Sequence, residues 1–286
     1  MTATPAPRAE AGAPSWPPGP GPAARLRFAG LLAAEWTKIR SVRSTIWTLG
    51  LFVVVTIGLT AGLTALIVGA WNGPNAAERN ARIIADPVGF ILGAGVGLGQ
   101  LTICVLGVLL ISTEYSTGVI KASLLAVPRR TPMLAAKAAV FAALLLVLAE
   151  VVSFGSFFAG SALLHSKVPV SLGDPGVTRA VVGAGLYLTV LGLLALAVGA
   201  LLRHTAGAIA TVIGVVLVLP ILTGLLPGSW GAHVNGYLPE QAGSAVMRAA
   251  AQPGQVLSAW EGFGVLCGWT AVLLIAAAVL LRRRDA

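Results

Sequence analysis

The chain has 286 residues, of which 57% are hydrophobic and only 10% are charged. A soluble domain carries about 25% charged residues, and the mean hydropathy here is +0.89, so the composition excludes an ordinary soluble protein and indicates a multi-pass membrane protein. The net charge of +9 does not indicate nucleic-acid binding, because the basic residues cluster at the ends of apolar runs, where membrane orientation accounts for them.

The N-terminal region begins with a tail and continues as a helix. Residues 1–24 hold seven of the seventeen prolines, which predicts a disordered tail. Residues 25–43 are basic, and their apolar side chains recur at helical spacing in a stripe that Glu35 interrupts. The stripe consists of Phe28, Leu32, Trp36, Ile39 and Val42. Such a helix is typical of the membrane surface; the alternative is an ordinary basic flank of the first span.

Six apolar runs are long enough to cross about 30 Å of hydrocarbon, which takes roughly 20 helical residues. The predicted spans are residues 46–69, 89–112, 138–163, 180–202, 206–226 and 262–281. The sequence therefore predicts an all-α fold, in which residues 25–284 form one transmembrane domain that starts with an amphipathic helix.

The second predicted span is rich in glycine. Gly89, Gly93 and Gly97 are four residues apart, which predicts a ridge that another helix approaches closely. A dinucleotide-binding loop is excluded, because Leu98 and Gln100 stand where G-x-G-x-x-G needs glycine and no βαβ pattern surrounds them. We expect Gln100, in the middle of the span, to face other protein groups or a translocation path.

The stretch between the second and third spans, residues 113–137, is compact and carries a net charge of +3. Ser116 or Thr117 can cap a short helix that runs to about Ala126, and Pro128 must end any helix that precedes it. The pattern predicts a short basic helix held between two spans, where a soluble partner can push on the membrane domain.

Glu150 lies near the middle of the third predicted span. An ionised carboxylate at the bilayer centre costs on the order of a few kcal/mol even on lenient insertion scales. We therefore expect Glu150 to be protonated or to face the bundle interior. Two interpretations are open: a structural hydrogen bond between helices, or a group that lines the substrate path or responds to protons.

The second half of the chain contains one tight turn and one long loop. Arg203 and His204 separate the fourth and fifth spans, which must be antiparallel neighbours, and Pro220 is able to kink the fifth span. In the loop 227–262, proline and charge positions predict a helix over residues 239–251 and a second short segment over 255–261. The three histidines lack metal-ligand spacing, so no metal site is expected.

Orientation follows from the distribution of lysine and arginine. With six spans, both termini lie on one side of the membrane. That side holds fourteen Lys and Arg residues and the opposite side holds five. The positive-inside rule therefore predicts that both termini and residues 113–137 are cytoplasmic.

The arrangement resembles the membrane subunit of an ABC-2 type exporter over about residues 25–284. Three loose motifs carry the resemblance: AEWTKIRSVRST after the tail, E-Y-S-T-G…V-P-R-R…K between the second and third spans, and Leu238-Pro239-Glu240 before the last span. In the second motif the matching residues are Glu114, Gly118, Pro128, Arg130 and Lys137.

This resemblance implies a plasma-membrane permease that works as a homodimer or heterodimer with two ATP-binding subunits and exports its cargo between protomers. Residues 25–43 would be the connecting helix, 116–126 the coupling helix that docks on the ATPase, and 227–262 paired half-helices in the outer leaflet. The ATPase-facing residues would be Glu114, Gly118, Lys121, Pro128, Arg129 and Arg130. Arg129 and Arg130 have a second interpretation, in which they bind lipid phosphates and hold the topology.

The sequence contains no Walker A motif, so we expect ATP and Mg²⁺ on a separate chain and no enzymatic activity or bound cofactor in this one. The alternative is an ion-coupled secondary transporter with Glu150 as the coupling acid, although the two halves show no clear internal repeat. An intramembrane enzyme is disfavoured, because the spans contain no nucleophile set. The cargo is not fixed by the sequence.

Overall fold

The computed structural model describes residues 28–41, 43–74, 76–116, 130–226, 228–252 and 254–283. These residues form α1 (Phe28–Ser41), α2 (Arg43–Gly69), α3 (Ala76–Ala85), α4 (Pro87–Ser116), α5 (Arg130–Leu164), α6 (Val177–Leu202), α7 (Thr205–Ile213), α8 (Leu219–Gly224), α9 (Gly228–Gly236), α10 (Pro239–Ser244) and α11 (Ala259–Arg283). A π-helical turn, Gly214–Val218, joins α7 to α8, and a 3₁₀ turn, Ala245–Met247, follows α10. No strand occurs in the described ranges, and the predicted all-α fold is confirmed.

Six helical segments are long and apolar enough to cross a membrane, as predicted. They are Thr45–Gly69, Pro87–Tyr115, Thr131–Leu164, Val177–Leu202, Thr205–Gly224 and Ala259–Arg283. The third begins earlier than the predicted residue 138, because the helix continues through the charged residues before it. Lys137, in its second turn, is buried against two carboxylates and therefore does not mark a helix boundary.

The alternating spans give the bundle two ends. We call the end that carries α1 the α1 end; it includes the last turns of α4 and α11, the first turn of α5 and the turn between α6 and α7. Side-chain contacts join these parts: Arg203 lies over the ring of Tyr115 at 5.0 Å, and Arg282 donates to Thr131 Oγ1 at 3.3 Å. The opposite end, which carries α3, α9 and α10, is called the far end.

Helix α6 is the central span and packs against α4, α5 and α11. Most of its residues are buried, among them Tyr187, Leu191 and Ala195. Its contact with α4 is close, because a Cβ atom at Gly107 would overlap the carbonyl oxygen of Gly192. The core of the bundle therefore lies around α6, and the faces of the peripheral spans remain exposed for lipid or partner chains.

Helices α2 and α4 meet through glycines other than those of the predicted ridge. A Cβ atom at Gly95 or Gly99 would overlap the hydroxyl of Thr60 or Thr56, both fully buried on α2. A Cβ atom at Gly93 or Gly97 would meet nothing within 4 Å. The ridge prediction is therefore wrong for these two positions. Glycine recurs at every second residue here, so spacing alone could not select the packed face.

The far end also differs from the prediction. Helix α3 was not expected, and α9 precedes the helix predicted over residues 239–251. That helix starts at Pro239 but ends at Ser244, with a short 3₁₀ turn after it, instead of reaching residue 251. The backbone of Arg248 is extended, and Arg179 Nη2 donates to the carbonyl oxygens of Arg248 and Ala249, both at 3.0 Å. A tertiary contact therefore ends the helix where local sequence would allow it to continue.

The fifth span contains the irregularity expected at Pro220. The π-helical turn Gly214–Val218 precedes this proline. Proline has no N–H to donate and its ring crowds the carbonyl one turn earlier, and a wider turn relieves that clash.

We expect Gly99→Ala to lower the free energy of unfolding by about 1–3 kcal/mol, because its methyl group must displace Thr56 at a close helix contact. Gly97→Ala is the matched control, two residues away on an open face, and its stability should be unchanged or slightly raised by the better helix propensity of alanine. Thermal unfolding of both purified variants in detergent, followed by tryptophan fluorescence, measures the difference. An equal loss in both variants would contradict this packing.

Candidate functional site

Four charged side chains form a closed ring at the α1 end. Lys137 Nζ lies 2.6 Å from Glu35 Oε2 and 2.9 Å from Glu114 Oε1. Lys38 Nζ lies 2.8 Å from Glu35 Oε1 and 3.2 Å from Glu114 Oε1. Each acid therefore contacts both bases, and the ring, which we call the charge ring, joins α1 to the end of α4 and the beginning of α5.

Most of the charge ring is removed from solvent. The side chains of Lys137 and Glu35 are 2% and 4% exposed, that of Glu114 is 10% exposed, and only Lys38 is more open, at 36%. Burial of unpaired charges would cost several kcal/mol per ion. The ring offsets that cost by neutralising two acids with two bases through short, charge-assisted hydrogen bonds.

Helix α1 attaches to the bundle through the side that carries Glu35. Its buried residues are Leu31, Glu35 and Ile39, one turn apart, and they pack against α5. Phe28 and Trp36 of the predicted apolar stripe lie on the other side and are about half exposed. Glu35, which interrupts the stripe in the sequence, is thus the residue that anchors α1, while the exposed aromatic side chains suit a membrane surface.

The charges of the ring stabilise one another. Burial opposes ionisation of Glu35 and is the largest single influence on its carboxyl group, but Lys137 and Lys38 together outweigh it and hold the pKa of Glu35 below its ordinary value. Burial likewise opposes the charge on Lys38, yet Glu35 and Glu114 raise the pKa of Lys38 above its ordinary value. The contribution of the Glu35 charge to stability is lost as pH falls through the lowered pKa of Glu35, and that of the Lys38 charge is lost as pH rises through the raised pKa of Lys38.

The residues predicted to face an ATPase are only partly described. Glu114 lies in the charge ring, and its carboxylate is directed at two lysines of the same chain. Arg130 is the first residue of α5. The predicted helix 116–126 lies outside the described residues beyond Ser116, as do Gly118, Lys121, Pro128 and Arg129. Their roles stay predictions.

The turn between α6 and α7 packs beside the end of α4. Arg203 has a left-handed backbone, with φ of 53°, and its guanidinium covers Tyr115. Thr205 Oγ1 donates to Ser112 Oγ at 3.0 Å, and His204 Nδ1 accepts from the backbone N–H of Gly207 as the N-cap of α7. These contacts connect the fourth and fifth spans, which this turn joins, to α4, the helix that carries Glu114.

A polar cavity of about 200 Å³ opens at the far end. One wall is the open glycine face of α4, and the facing wall is α10 with the turn after it. Its lining residues are Gly89, Gly93, Val96, Gly97, Gln100, Tyr187, Glu240, Gln241, Ser244, Met247 and Arg248. From Gly89 to Gln100 the wall rises about 16 Å along the helix, which reaches the middle of the 30-residue α4.

Gln100 and Tyr187 close the inner end of this cavity. Both side chains are buried, and the Tyr187 hydroxyl donates to Gln100 Oε1. The sequence indicated Gln100 as a candidate, but it gave no signal for Tyr187 or for the position of Glu240 in the cavity wall. Glu240 has the sequence signature of an ordinary acid in the first turn of a helix, so only the fold distinguishes it.

Glu150 does not share this cavity. Its carboxyl group lies against Gly185 of α6, where a Cβ atom would overlap it. Gly185 and Tyr187 are two residues apart on α6, and therefore about 200° apart around the helix. The structure thus places Gln100 and Glu150 on different sides of α6 and does not bring the two proposed path-lining residues together.

The described part of the chain holds no group of three or more His, Cys, Asp or Glu side chains placed to bind a metal ion.

No curated protein matches the sequence. A family model described as ABC-2 family transporter protein matches residues 90–286. This match begins within α4, covers more than half of the chain and agrees with six apolar helices. The chain is a multi-pass membrane protein that belongs to the ABC-2 family of transporter proteins.

Proposed function

We propose that the chain is the permease subunit of an ATP-driven exporter, which forms the translocation path as a dimer and is coupled to separate ATP-binding subunits at the α1 end. The family supports the transport role. The charge ring is the observation that carries the coupling, because it joins the two helices that flank residues 117–129 both to each other and to α1.

Coupling requires that force on a small surface reaches several spans. Lys137 lies about two turns from the start of α5, and Glu114 lies in the last turn of α4. Separating these two residues would leave buried charges without their partners, at a cost of several kcal/mol. A displacement of the intervening segment would therefore move α1, α4 and α5 as a unit. The α6–α7 turn would follow through Tyr115 and Ser112.

The orientation proposed for the molecule places the α1 end in the cytoplasm. Fourteen of the nineteen Lys and Arg residues belong to residues 1–43, the segment 113–137, the Arg203 turn and the C-terminus. The positive-inside rule favours the cytoplasm for that set. The exposed Phe28 and Trp36 of α1 would then lie at the inner leaflet.

A substitution at Lys137 tests the ring as a structural element. Lys137→Met leaves Glu35 and Glu114 buried with only Lys38 between them, and we expect a loss of about 3–5 kcal/mol in the free energy of unfolding. Lys38→Met, at the exposed edge, should cost about 1 kcal/mol or less. Adding Glu35→Gln to Lys137→Met should recover part of the loss, because it removes one uncompensated acid. Detergent unfolding curves that rank Lys38→Met as the more damaging change would contradict the arrangement.

Glu35→Gln tests coupling directly in the complex with the ATP-binding subunits, reconstituted in vesicles. We expect ATP hydrolysis to continue while transport per ATP falls several-fold, because the amide holds Lys137 less firmly. Glu78→Gln is the matched control, since Glu78 pairs with Arg82 on the exposed surface of the far end. The purified chain alone should not hydrolyse ATP. Unchanged transport in Glu35→Gln, with the control also normal, would remove the charge ring from the mechanism.

Glu150→Gln separates the exporter from the ion-coupled alternative. Glu150 Oε2 has no hydrogen-bond partner among the described residues, and the group lies against α6 away from the far-end cavity. We expect transport by the variant to keep its wild-type dependence on pH, because Glu150 does not line the far-end cavity. Loss of pH dependence, with normal expression and ATP hydrolysis, would instead favour Glu150 as a coupling acid.

A further inference from the structure

We propose that the far-end cavity binds a zwitterionic head group, with its ammonium group at Glu240 and its anionic group at Arg248. As a cargo site this inference rests on the proposed export function, but the binding itself does not depend on it. The cargo class would be small zwitterions or lipids with zwitterionic heads, which share this chemistry.

Two opposite charges line the cavity without pairing. Glu240 and Arg248 both contribute to its wall. In the described residues, no ion pair within 4 Å joins them to each other or to any further charged group. The amide of Gln241 is the side-chain hydrogen-bond partner of Glu240. Each charge is therefore available to a ligand, while the cavity as a whole is neutral.

Glu240 is half-buried in the cavity wall. Burial raises the pKa of Glu240 to about 7, and Arg248 only partly opposes that shift. An incoming ammonium group would supply the close positive charge that Glu240 lacks. The other titratable groups that face this space are Arg248 and the buried Tyr187.

Arg248 is held in place through its backbone. Arg179 donates to the carbonyl oxygens of Arg248 and Ala249. The Arg248 side chain lines the far-end cavity and also two neighbouring cavities. A guanidinium group on a backbone anchored in this way is suited to phosphate or carboxylate oxygens, which it can bind in a bidentate manner.

The size and opening of the cavity fit a head group. About 200 Å³ corresponds to roughly seven waters at liquid density, which is room for a small polar head but not for acyl chains. Gly93 is exposed and Leu98 is 52% exposed on the adjoining face of α4, so the cavity opens sideways along an apolar surface. A purely cationic or purely anionic ligand would leave one of the two partly buried charges without a counterion, which is unfavourable.

The test compares one zwitterion with its two halves. Glycerophosphoethanolamine, glycerol phosphate and ethanolamine are titrated against the full-length chain, purified in detergent, by calorimetry at pH 8. We expect the zwitterion to bind at least tenfold more tightly than either half. Glu240→Gln should remove its advantage over glycerol phosphate, and Arg248→Gln its advantage over ethanolamine. Lys167→Gln, at an exposed residue of the far end that lines neither this cavity nor its neighbours, is the control and should bind like the wild type.

Two further arms complete the experiment. Dihexanoyl phosphatidylethanolamine that binds more tightly than the free head group would identify a lipid source, and equal binding would identify free zwitterions; both results support the site. Binding should weaken between pH 8 and pH 6 as Glu240 gains a proton, and Glu240→Gln should show no such change. No preference for the zwitterion in the wild type, or the same preference in both variants, would overturn the inference. Because no ATPase is present, this result is independent of whether the chain is an exporter.

Discussion

The attachment of α1 to the bundle depends on a ring of four charges, three of them buried, that is neutral as a whole. Its members come from three helices, and two of them, Glu35 and Lys137, are 102 residues apart in the chain. Such a ring adds little stability relative to a well-packed apolar contact. Its value is that it has one geometry: each acid must reach both bases, so the three helices can meet in only one register.

The far end is organised on a different principle. Short helices, a 3₁₀ turn and an extended residue replace the regular packing of the spans, and backbone carbonyls are bound by Arg179 instead of continuing a helix. Irregular backbone within a membrane domain is tolerated where it is buried in protein or lines a cavity. The polar cavity between α4 and α10 is therefore where this protein can place charged groups, while the α1 end is where it neutralises them.

Much of the fold could be predicted from the sequence, because the six spans follow from length and apolar composition. The charge ring could not, since a pattern identifies an acid out of place, such as Glu35, but not its partner. The glycine face of α4 could not be chosen, because Gly93, Gly95, Gly97 and Gly99 satisfy several spacings at once. The helix at Pro239 was predicted too long for a related reason: the contact that ends it comes from Arg179, about 70 residues earlier.

The region shared with the ABC-2 family begins at residue 90, inside α4, and the charge ring crosses that boundary. Glu114 and Lys137 lie within the shared region, whereas Glu35 and Lys38 precede it. A chimera that joined the shared region to the N-terminal helix of a different permease would inherit a buried lysine without its main counterion. Domain exchange in such proteins should therefore take α1 together with the spans it binds, since the unit that folds is larger than the unit that sequence comparison defines.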